Sequence, residues 1–381
     1  MKRRGFMTGL AGLATTSLAG YAEAKVDGVT SSRLRIGTSL DKSGIAAGVG
    51  LHLQRGMLAA FEQTNRAGGV FGREMELVSL DDGYDPPRTV ANTRELLGHG
   101  VFALGCYMGT PTTVAALPLI KDADIPLIAP FSGSGLLRSP ALPQVFNIRA
   151  SYMQEGGPIV RHLMRYGGDK PKIGLFTQDD LYGQSVEASI VAALKDRGLA
   201  PVVIARIPRG SDDVRGAVKL LLDKGVTAVA LGSTYQPTAE LVRSLHAEGS
   251  SAVCASVSFV GTSNLTKKLS ASDDAHVGVC EVMPFPFAGT TMVTRDYQAA
   301  MKAAGFTESD YSYESIEGFC GAMTLIKGLF LCGPYPTRSG LMASLEGRHD
   351  LGGFYVQFKR GDHAGSNFTE MVDVGPNTLV R

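Results

Sequence analysis

The feature that most limits the fold of this chain is a regular alternation of strand-like and helix-like segments, which occurs twice in succession. Short apolar runs typical of buried strands alternate with longer amphipathic stretches. Two consecutive βαβ series predict two doubly wound α/β lobes, each with a parallel sheet covered by helices. The predicted strands lie at 33–40, 74–81, 101–105, 126–129 and 145–148 in the first series, and at 172–178, 201–208, 228–232, 252–256 and 277–283 in the second. The predicted helices lie at 48–67, 86–98, 183–196, 213–224 and 237–248.

The remainder of the chain predicts how the two lobes are joined. Helices are predicted at 294–304 and 313–331, and short β segments follow from residue 354. If these helices pack on the first lobe, the chain crosses between the lobes three times, which makes a hinge with a cleft beside it. The crossings are predicted near 147–151, 284–287 and 351–353, so that one lobe contains 31–148 and 287–350 and the other contains 149–286 and 351–381.

Two loops rich in small polar residues follow neighbouring predicted strands of the first series. Gly109 and Thr110 come after its third strand, and Ser132 and Gly133 come after its fourth. An open parallel sheet binds ligands beyond the carboxyl ends of its strands, where loop hydroxyls and the N–H groups of a helix start donate hydrogen bonds. The loops therefore predict an anion site, and a carboxylate fits it best. The alternative is that Thr110 only caps the helix that follows.

The N-terminus has the pattern of an export signal. Residues 1–24 begin with three basic side chains, continue with a short apolar run, and end in a small-residue site at Ala24. The adjacent Arg3 and Arg4 indicate the twin-arginine route. No later stretch predicts a membrane span. Because the formal net charge is only +1 and no basic patch occurs, nucleic acid is not a predicted partner.

Catalytic and metal-binding patterns are not found in the sequence. The seven histidines show no HxxxH or HxH spacing, so no metal site is predicted. No P-loop, dinucleotide fingerprint or G-x-S-x-G motif occurs. The acid pairs Asp81-Asp82 and Asp179-Asp180 end predicted strands before helices, where carboxylates commonly cap. We therefore predict a protein that is not an enzyme and carries no cofactor.

The five cysteines include no CxxC pair. Cys320 and Cys332 lie on one predicted helix about 18 Å apart, too far to bond. Cys254 and Cys280 lie on successive predicted strands, which leaves two possibilities, a disulfide across the sheet or two buried thiols.

Several stretches of the chain carry a resemblance to a known family. They read RLRIGTSLDKSG from Arg33 with the run GMLAAFEQTNRAGGVFG that follows, TQDDLYGQS around Tyr182, SFVGTSNL from Ser258, and DLGGF from Asp350. In this order and spacing, over 33–374, the chain resembles type I periplasmic binding proteins of the leucine/isoleucine/valine-binding family. The resemblance implies two Rossmann-like lobes joined by a three-crossing hinge. It also implies a periplasmic monomer that binds a small molecule and delivers it to the permease subunits of an ABC importer.

The resemblance further implies which residues bind the ligand. The two polar loops match the two family segments that hold the ligand carboxylate. Tyr182 and Tyr235 match cleft tyrosines of the second lobe. Tyr107 and Phe259 are candidates for the cleft wall, although each also suits a lobe core. The predicted ligand-binding residues are Tyr107, Gly109, Thr110, Ser132, Gly133, Tyr182, Tyr235 and Phe259.

One position departs from the family pattern. Amino-acid binders place a glutamate there to pair with the ligand ammonium, whereas this chain reads Val257-Ser258-Phe259. Because a buried ammonium without a counter-charge is costly, we predict a non-amine anionic ligand with an apolar or aromatic body. An acid elsewhere in the cleft would restore amino-acid binding, and Glu281 and Glu314 are the candidates. The family disulfide is not expected, because Tyr84 stands where one cysteine would be.

Two other functions fit the same fold. A ligand-sensing module would present its closed form to a chemoreceptor or sensor kinase rather than to a permease. An exported enzyme would need a cofactor or a nucleophile with a base, and the sequence offers neither. Fold alone does not decide among these functions.

Overall fold

The structure is a computed structural model that describes residues 26–269, 277–375 and 378–380. The predicted export signal at 1–24 lies outside the described residues. The described part of the chain forms two large sheets and a two-stranded hairpin. Each large sheet is the centre of one lobe, as the alternation predicts.

The first lobe is organised on a five-stranded parallel sheet. Its elements are β1 (Arg33–Leu40), α1 (Ala47–Arg66), β2 (Glu74–Asp81), α2 (Pro86–Gly98), β3 (Ala103–Gly105), α3 (Thr110–Asp122), β4 (Leu127–Ile128) and β5 (Val145–Phe146). The strand order is β2-β1-β3-β4-β5. β3, β4 and β5 are fully buried, because a parallel sheet is covered on both faces.

The second lobe is organised on a seven-stranded sheet. Its elements are α4 (Tyr152–Tyr166), β6 (Ile173–Gln178), α5 (Leu181–Lys195), β7 (Val203–Ile207), α6 (Arg215–Asp223), β8 (Ala228–Gly232), α7 (Tyr235–Ala247), β9 (Val253–Val257), α8 (Thr262–Lys268) and β10 (Val277–Glu281), with β13 (Glu370–Gly375) and β14 (Thr378–Val380) from the end of the chain. The strand order is β14-β13-β10-β9-β8-β6-β7. β13 pairs antiparallel with β10 and with β14, and the other pairs are parallel.

The chain returns to the first lobe after β10, as the sequence predicts. The returning elements are α9 (Met292–Ala303), α10 (Tyr313–Cys332), α11 (Arg338–Leu345), β11 (Gly347–Asp350) and β12 (Tyr355–Phe358). α10 packs along α1 at very short range, through Gly56 of α1 and Gly318 of α10. A Cβ on Gly56 would overlap the carbonyl oxygen of Ser315, and a Cβ on Gly318 would overlap that of Leu53.

α10 corrects one expectation from the sequence. Its length and composition are those of a helix that could cross a membrane, whereas no such stretch was expected after residue 24. Most of α10 is buried, including Ile316, Phe319 and Leu325. The apolar character of α10 is therefore explained by its place as a core helix of the first lobe.

The third crossing between the lobes lies later in the chain than predicted. Phe358 of β12 and His363 both pack on Phe146 of β5, with ring centroids 5.2 and 3.9 Å away. The N–H group of Asn147 donates to the carbonyl of His363, and that of Gly365 donates to the carbonyl of Asn147. The chain therefore stays with the first lobe up to residue 365, instead of leaving it near 351–353. It joins the second lobe only at β13.

Three helices of the structure have no counterpart among the predicted elements: α4, α8 and α11. α4 is the one that matters for the cleft. It contains Gly156, Gly157 and Pro158, which are poor helix formers and which hide its periodicity. A capping box between Ser151 and Gln154 starts the helix, and packing on β9 and α5 overrides the unfavourable propensity.

The two cysteines that were candidates for a disulfide are free buried thiols. Cys254 is opposite Val277 in the β9–β10 pairing, and Cys280 is opposite Val257. The register therefore separates them by three residues, about 10 Å along the sheet, and turns their side chains to opposite faces. Burial raises the pKa of the Cys254 thiol to about 12.

The contact between α1 and α10 generates the first prediction. We expect Gly56→Ala to lower the free energy of unfolding by about 2 kcal/mol, because the added methyl meets rigid backbone of α10. The matched control is Gly98→Ala at the end of α2, where a Cβ meets nothing within 4 Å. There the better helix propensity of alanine leaves stability unchanged or slightly raised. Urea unfolding of the two variants tests this, and equal stabilities would contradict it.

Candidate functional site

The cleft lies where the carboxyl ends of the two sheets meet. The first turn of α3 follows β3 of the first lobe, and those of α5 and α7 follow β6 and β8 of the second. The first N–H groups of a helix have no partner inside it and carry partial positive charge. The lobes contact each other here, because the hydroxyls of Ser134 and Ser185 are 2.8 Å apart and the amide of Gln178 donates to the Tyr84 hydroxyl at 3.4 Å. The structure is a closed form.

The two polar loops lie side by side in this cleft. The Oγ atoms of Thr110 and Ser132 are 2.7 Å apart, and both residues are buried. Gly109 has a φ of 96°, and a Cβ on it would lie 2.5 Å from the ring of Tyr84. Only glycine fits there. The Tyr152 ring leaves equally little room at Gly133. The structure thus brings these four predicted residues together on one surface at the start of α3.

Aromatic rings from both lobes close over this surface. Phe259 enters from the second lobe and packs against Phe131 and Tyr84 of the first, with ring centroids 5.4 and 6.1 Å away. Tyr182 packs on the other side of Phe259 at 4.6 Å, and Tyr152 packs on Tyr182 at 5.7 Å. All five rings are buried. Any ligand bound between the loops and these rings therefore meets an apolar, aromatic wall.

A buried guanidinium lies at the first crossing between the lobes. Arg149 is fully buried and stacks on Phe131, with Cζ 4.5 Å from the ring centroid. Its Nη2 donates to the Ser258 hydroxyl, and its Nη1 lies 3.5 Å from the Glu317 carboxylate. The N–H group of Ser258 in turn donates to Glu155 at 2.7 Å. Arg149, Glu155, Ser258 and Glu317 are called the hinge cluster below.

The hinge cluster joins side chains of both lobes. Glu317 lies on α10 of the first lobe, while Glu155 on α4 and Ser258 after β9 belong to the second. Burial raises the pKa of Glu155 to about 7 and that of Glu317 to about 7, and the charge of Arg149 opposes both shifts. The position where the family resemblance implies a glutamate thus holds a serine that is bonded to a cation.

The two predicted tyrosines of the second lobe lie at different places in the cleft. Tyr182 is buried in the aromatic wall, and its hydroxyl donates to the carbonyl of Ser233 at 3.4 Å. Tyr235, at the start of α7, contacts the first lobe directly, because its hydroxyl accepts from the N–H group of Gly48 at 3.5 Å. Tyr235 is therefore at the contact between the lobes, whereas Tyr182 packs within the second lobe beside Phe259.

Tyr107 does not join the other predicted residues. It is buried among Leu96, Leu104 and Ile120 in the core between the first sheet, α2 and α3. Its hydroxyl lies 3.1 Å from that of Thr93 on α2. The structure places Tyr107 in the lobe core, which was the alternative role considered for it.

Several side chains at the cleft were not selected from the sequence. Tyr84, Phe131, Tyr152 and Arg149 come together only because three separate segments converge there. One signal was available, since Phe131 directly precedes the predicted loop residue Ser132. A second signal is Arg149 itself, a charged residue within the predicted first crossing at 147–151.

The acid pairs act as caps and turn residues. Asp180 accepts from the N–H groups of Tyr182 and Gly183 at the start of α5. Asp82 accepts from the N–H group of Tyr84, and burial raises its pKa to about 6. Among the described residues, no group of three or more His, Cys, Asp or Glu side chains is arranged to hold a metal ion.

The hinge cluster generates a prediction on pH dependence. A carboxyl group whose folded-state pKa is raised to about 7 adds stability below its unfolded pKa, and that stability is lost as the pH rises through 7. Between pH 6.5 and 8, we expect Glu155 to lower the free energy of unfolding by about 1 kcal/mol. Glu155→Gln should remove that part of the decline, whereas Glu248→Gln on the surface should not. Denaturant unfolding at both pH values measures the difference, and parallel profiles for wild type and Glu155→Gln would contradict it.

Comparisons with known proteins agree with this architecture. A family model described as periplasmic binding protein matches residues 33–375. A protein of Pseudomonas aeruginosa, named a leucine-, isoleucine-, valine-, threonine- and alanine-binding protein, is 25% identical over 275 residues, which is 72% of each chain.

Solved structures show the same arrangement of lobes. A substrate-binding periplasmic protein of Ralstonia solanacearum has a TM-score of 0.83 and is 30% identical, over 91% of this chain and 99% of that chain. A possible leucine/isoleucine/valine-binding protein of Rhodopirellula baltica has a TM-score of 0.84 and is 29% identical, over 93% of this chain and 97% of that chain. The chain therefore belongs to the periplasmic binding protein family and has the type I fold of the substrate-binding proteins of ABC transporters.

Proposed function

We propose that this protein is the extracytoplasmic binding component of an ABC importer, and that it closes over a small carboxylate ligand and delivers it to a membrane permease. The observation that carries the proposal is a closed cleft in which the hydroxyls of Thr110 and Ser132 meet and Phe259 of the second lobe packs on Phe131, the residue before Ser132. A ligand that touches both lobes stabilises the closed form, and only such differential contact shifts the hinge equilibrium. Export to the periplasm with cleavage near Ala24, and a monomeric state, belong to the same proposal.

The ligand carboxylate is assigned to the two polar loops. Thr110 starts α3, so the N–H groups of the first turn of α3 and the hydroxyls of Thr110 and Ser132 supply donors without a full positive charge. Glycine at 109 and 133 lets the rings of Tyr84 and Tyr152 pack closely on the backbone of the two loops. We assign ligand contact to Gly109, Thr110, Ser132, Gly133, Tyr182, Tyr235 and Phe259.

The positive charge of Arg149 beside Ser258 argues against an α-ammonium group on the ligand. The side chain there accepts from Arg149, and the nearby carboxylates of Glu155 and Glu317 are already beside that guanidinium. An ammonium brought to Ser258 would therefore meet a guanidinium already bonded there, and would compete with that guanidinium for the two carboxylates. The neighbouring rings of Phe131, Tyr182 and Phe259 suit an apolar or aromatic body instead.

The relative from Pseudomonas aeruginosa is named for leucine, isoleucine, valine, threonine and alanine. At 25% identity it supports the fold and the binding role of this chain. The hinge cluster is the reason we assign a different ligand class, a carboxylate without an ammonium.

The proposal predicts selectivity within matched pairs of ligands. We expect 3-phenylpropanoate to raise the melting temperature of the mature protein more than L-phenylalanine does, and 4-methylpentanoate to raise it more than L-leucine. A ligand at 100 times its dissociation constant adds about 2.7 kcal/mol of stability, which a thermal-shift assay resolves. Stronger stabilisation by the two amino acids would contradict the assigned ligand class.

The carboxylate site is tested by an isosteric pair of substitutions on α3. Thr110→Val removes the hydroxyl that faces Ser132, and we expect it to weaken binding of the stabilising carboxylate about tenfold, since a hydrogen bond to a charged group contributes about 1.5–3 kcal/mol. Thr113→Val is the matched control, because the Thr113 hydroxyl is buried on the same helix and has no hydrogen-bond partner in the described residues. Titration calorimetry measures both variants. Equal affinities would remove Thr110 from the site.

A further inference from the structure

One buried carboxylate at the contact between the lobes has no hydrogen-bond partner. Glu314 lies in the first turn of α10 and is only 1% exposed. Neither of its carboxylate oxygens accepts a hydrogen bond within the described part of the chain. Leaving a buried acceptor unpaired costs free energy, and a charged acceptor costs more. The position of Glu314 is therefore not explained by its contribution to stability.

The surroundings of Glu314 come from both lobes. A Cβ on Gly261 of the second lobe would lie 3.8 Å from Oε1 of Glu314, 3.2 Å from the Tyr235 ring and 2.6 Å from Val49 of α1. Gly261 has a φ of 87°, so both its conformation and its crowding require glycine. Glu314 thus points to the place where Tyr235, one of the predicted ligand contacts, meets the first lobe.

No Lys, Arg or His side chain of the described residues forms an ion pair with Glu314. Burial lowers the pKa of His52 on α1, although the charge of Glu314 opposes that shift. Arg55 on the same helix is paired with Asp310 at 3.2 Å. The described residues therefore leave both oxygens of Glu314 without a donor, with only the start of α10 to favour its negative charge.

The other candidate acid does not share this property. Glu281 is also buried, but the hydroxyl of Thr262 donates to it. Burial raises the pKa of Glu281 well above its usual range, and the charge of Glu314 adds to the shift. Of the two acids that the sequence singles out, only Glu314 offers two free acceptor atoms.

A second polar group near this place also lacks a partner. The amide side chain of Asn264 packs against Gly48, next to the Gly48–Tyr235 contact, where glycine again leaves room for it. Its Nδ2 is buried and donates no hydrogen bond within the described residues. Glu314 and Asn264 together offer an acceptor and a donor at the start of α1.

This place is separate from the two polar loops. α1 packs with α9 and α10 on one side of the first sheet, while α3 packs with α2 on the other. The starts of α1 and α3 therefore approach the cleft from opposite faces of the sheet. A ligand whose carboxylate lies at Thr110 reaches Glu314 only with another part of its body.

We propose that Glu314 forms a second subsite, which receives a hydrogen-bond donor, a hydroxyl or an ammonium group, at the end of the ligand remote from its carboxylate. This inference rests on the proposed function, and it narrows the ligand to carboxylates that carry a distal donor. Glu314 would accept a hydrogen bond from the end of the ligand that is remote from its carboxylate. The subsite is therefore compatible with a ligand that has no α-ammonium group beside Ser258.

The test compares three probes that differ only in the distal group: 3-phenylpropanoate and its 4-hydroxy and 4-aminomethyl derivatives. Calorimetry is carried out on the mature wild type, on Glu314→Gln, and on Glu308→Gln as a control at an exposed acid in the same region. We expect Glu314→Gln to weaken binding of at least one derivative about tenfold and to leave 3-phenylpropanoate unchanged. The derivative that loses affinity identifies the donor as hydroxyl or ammonium.

Other outcomes contradict either the Glu314 subsite or the proposed ligand class. Equal losses for all three probes, or no loss for any, would overturn the role of Glu314. If wild type binds none of the probes, the proposed ligand class fails, and the subsite is then decided by melting without ligand. Replacing an unpartnered buried carboxylate by its neutral isostere should raise the melting temperature by about 2 °C, while Glu308→Gln leaves it unchanged. An unchanged or lower melting temperature for Glu314→Gln would then overturn the subsite.

Discussion

The burial of Arg149 at the hinge is the interaction on which the cleft depends. Its guanidinium stacks on Phe131 and approaches Glu317 in the first lobe, and it donates to Ser258 in the second. A fully buried charge persists only with partners, so the segments that supply them are held in fixed positions. Those segments also contain the loop after β4 and Phe259, which pack against each other and line the proposed ligand site. The hinge cluster therefore links the geometry of both lobes to the proposed ligand site.

The closed form is held largely by contacts that a ligand would share or replace. Phe259 bridges Tyr182 of its own lobe and Phe131 of the other, and hydroxyl contacts such as Ser134–Ser185 add to the closure. A ligand in the cleft adds its own contacts to both lobes and so shifts the balance between open and closed forms. The unpartnered oxygens of Glu314 are also consistent with ligand-dependent closure, because a binding site keeps polar groups that the protein alone leaves without a hydrogen bond. Stability given up at such a position is recovered when the ligand is bound.

The sequence predicted the architecture well where the hydrophobic pattern was long and regular. β1, β2 and α2 have the predicted bounds, and α1 and α10 differ from prediction by one residue at their ends. α4 was missed because Gly156, Gly157 and Pro158 interrupt its pattern, and only packing on the second sheet makes it a helix. The third crossing was placed too early, because nothing in the local sequence shows that His363 stacks on Phe146. These errors share one cause, which is that long-range packing overrides local preference.

The sequence by itself determined the two α/β lobes and the polar loops at Thr110 and Ser132, because periodicity and residue identity are local properties. Only the tertiary structure decided which side chains surround the site. It placed Tyr107 in a core, brought Arg149 to Ser258, and left Glu314 without a partner. These are contacts between residues far apart in the chain, and their distances depend on how the two lobes pack against each other.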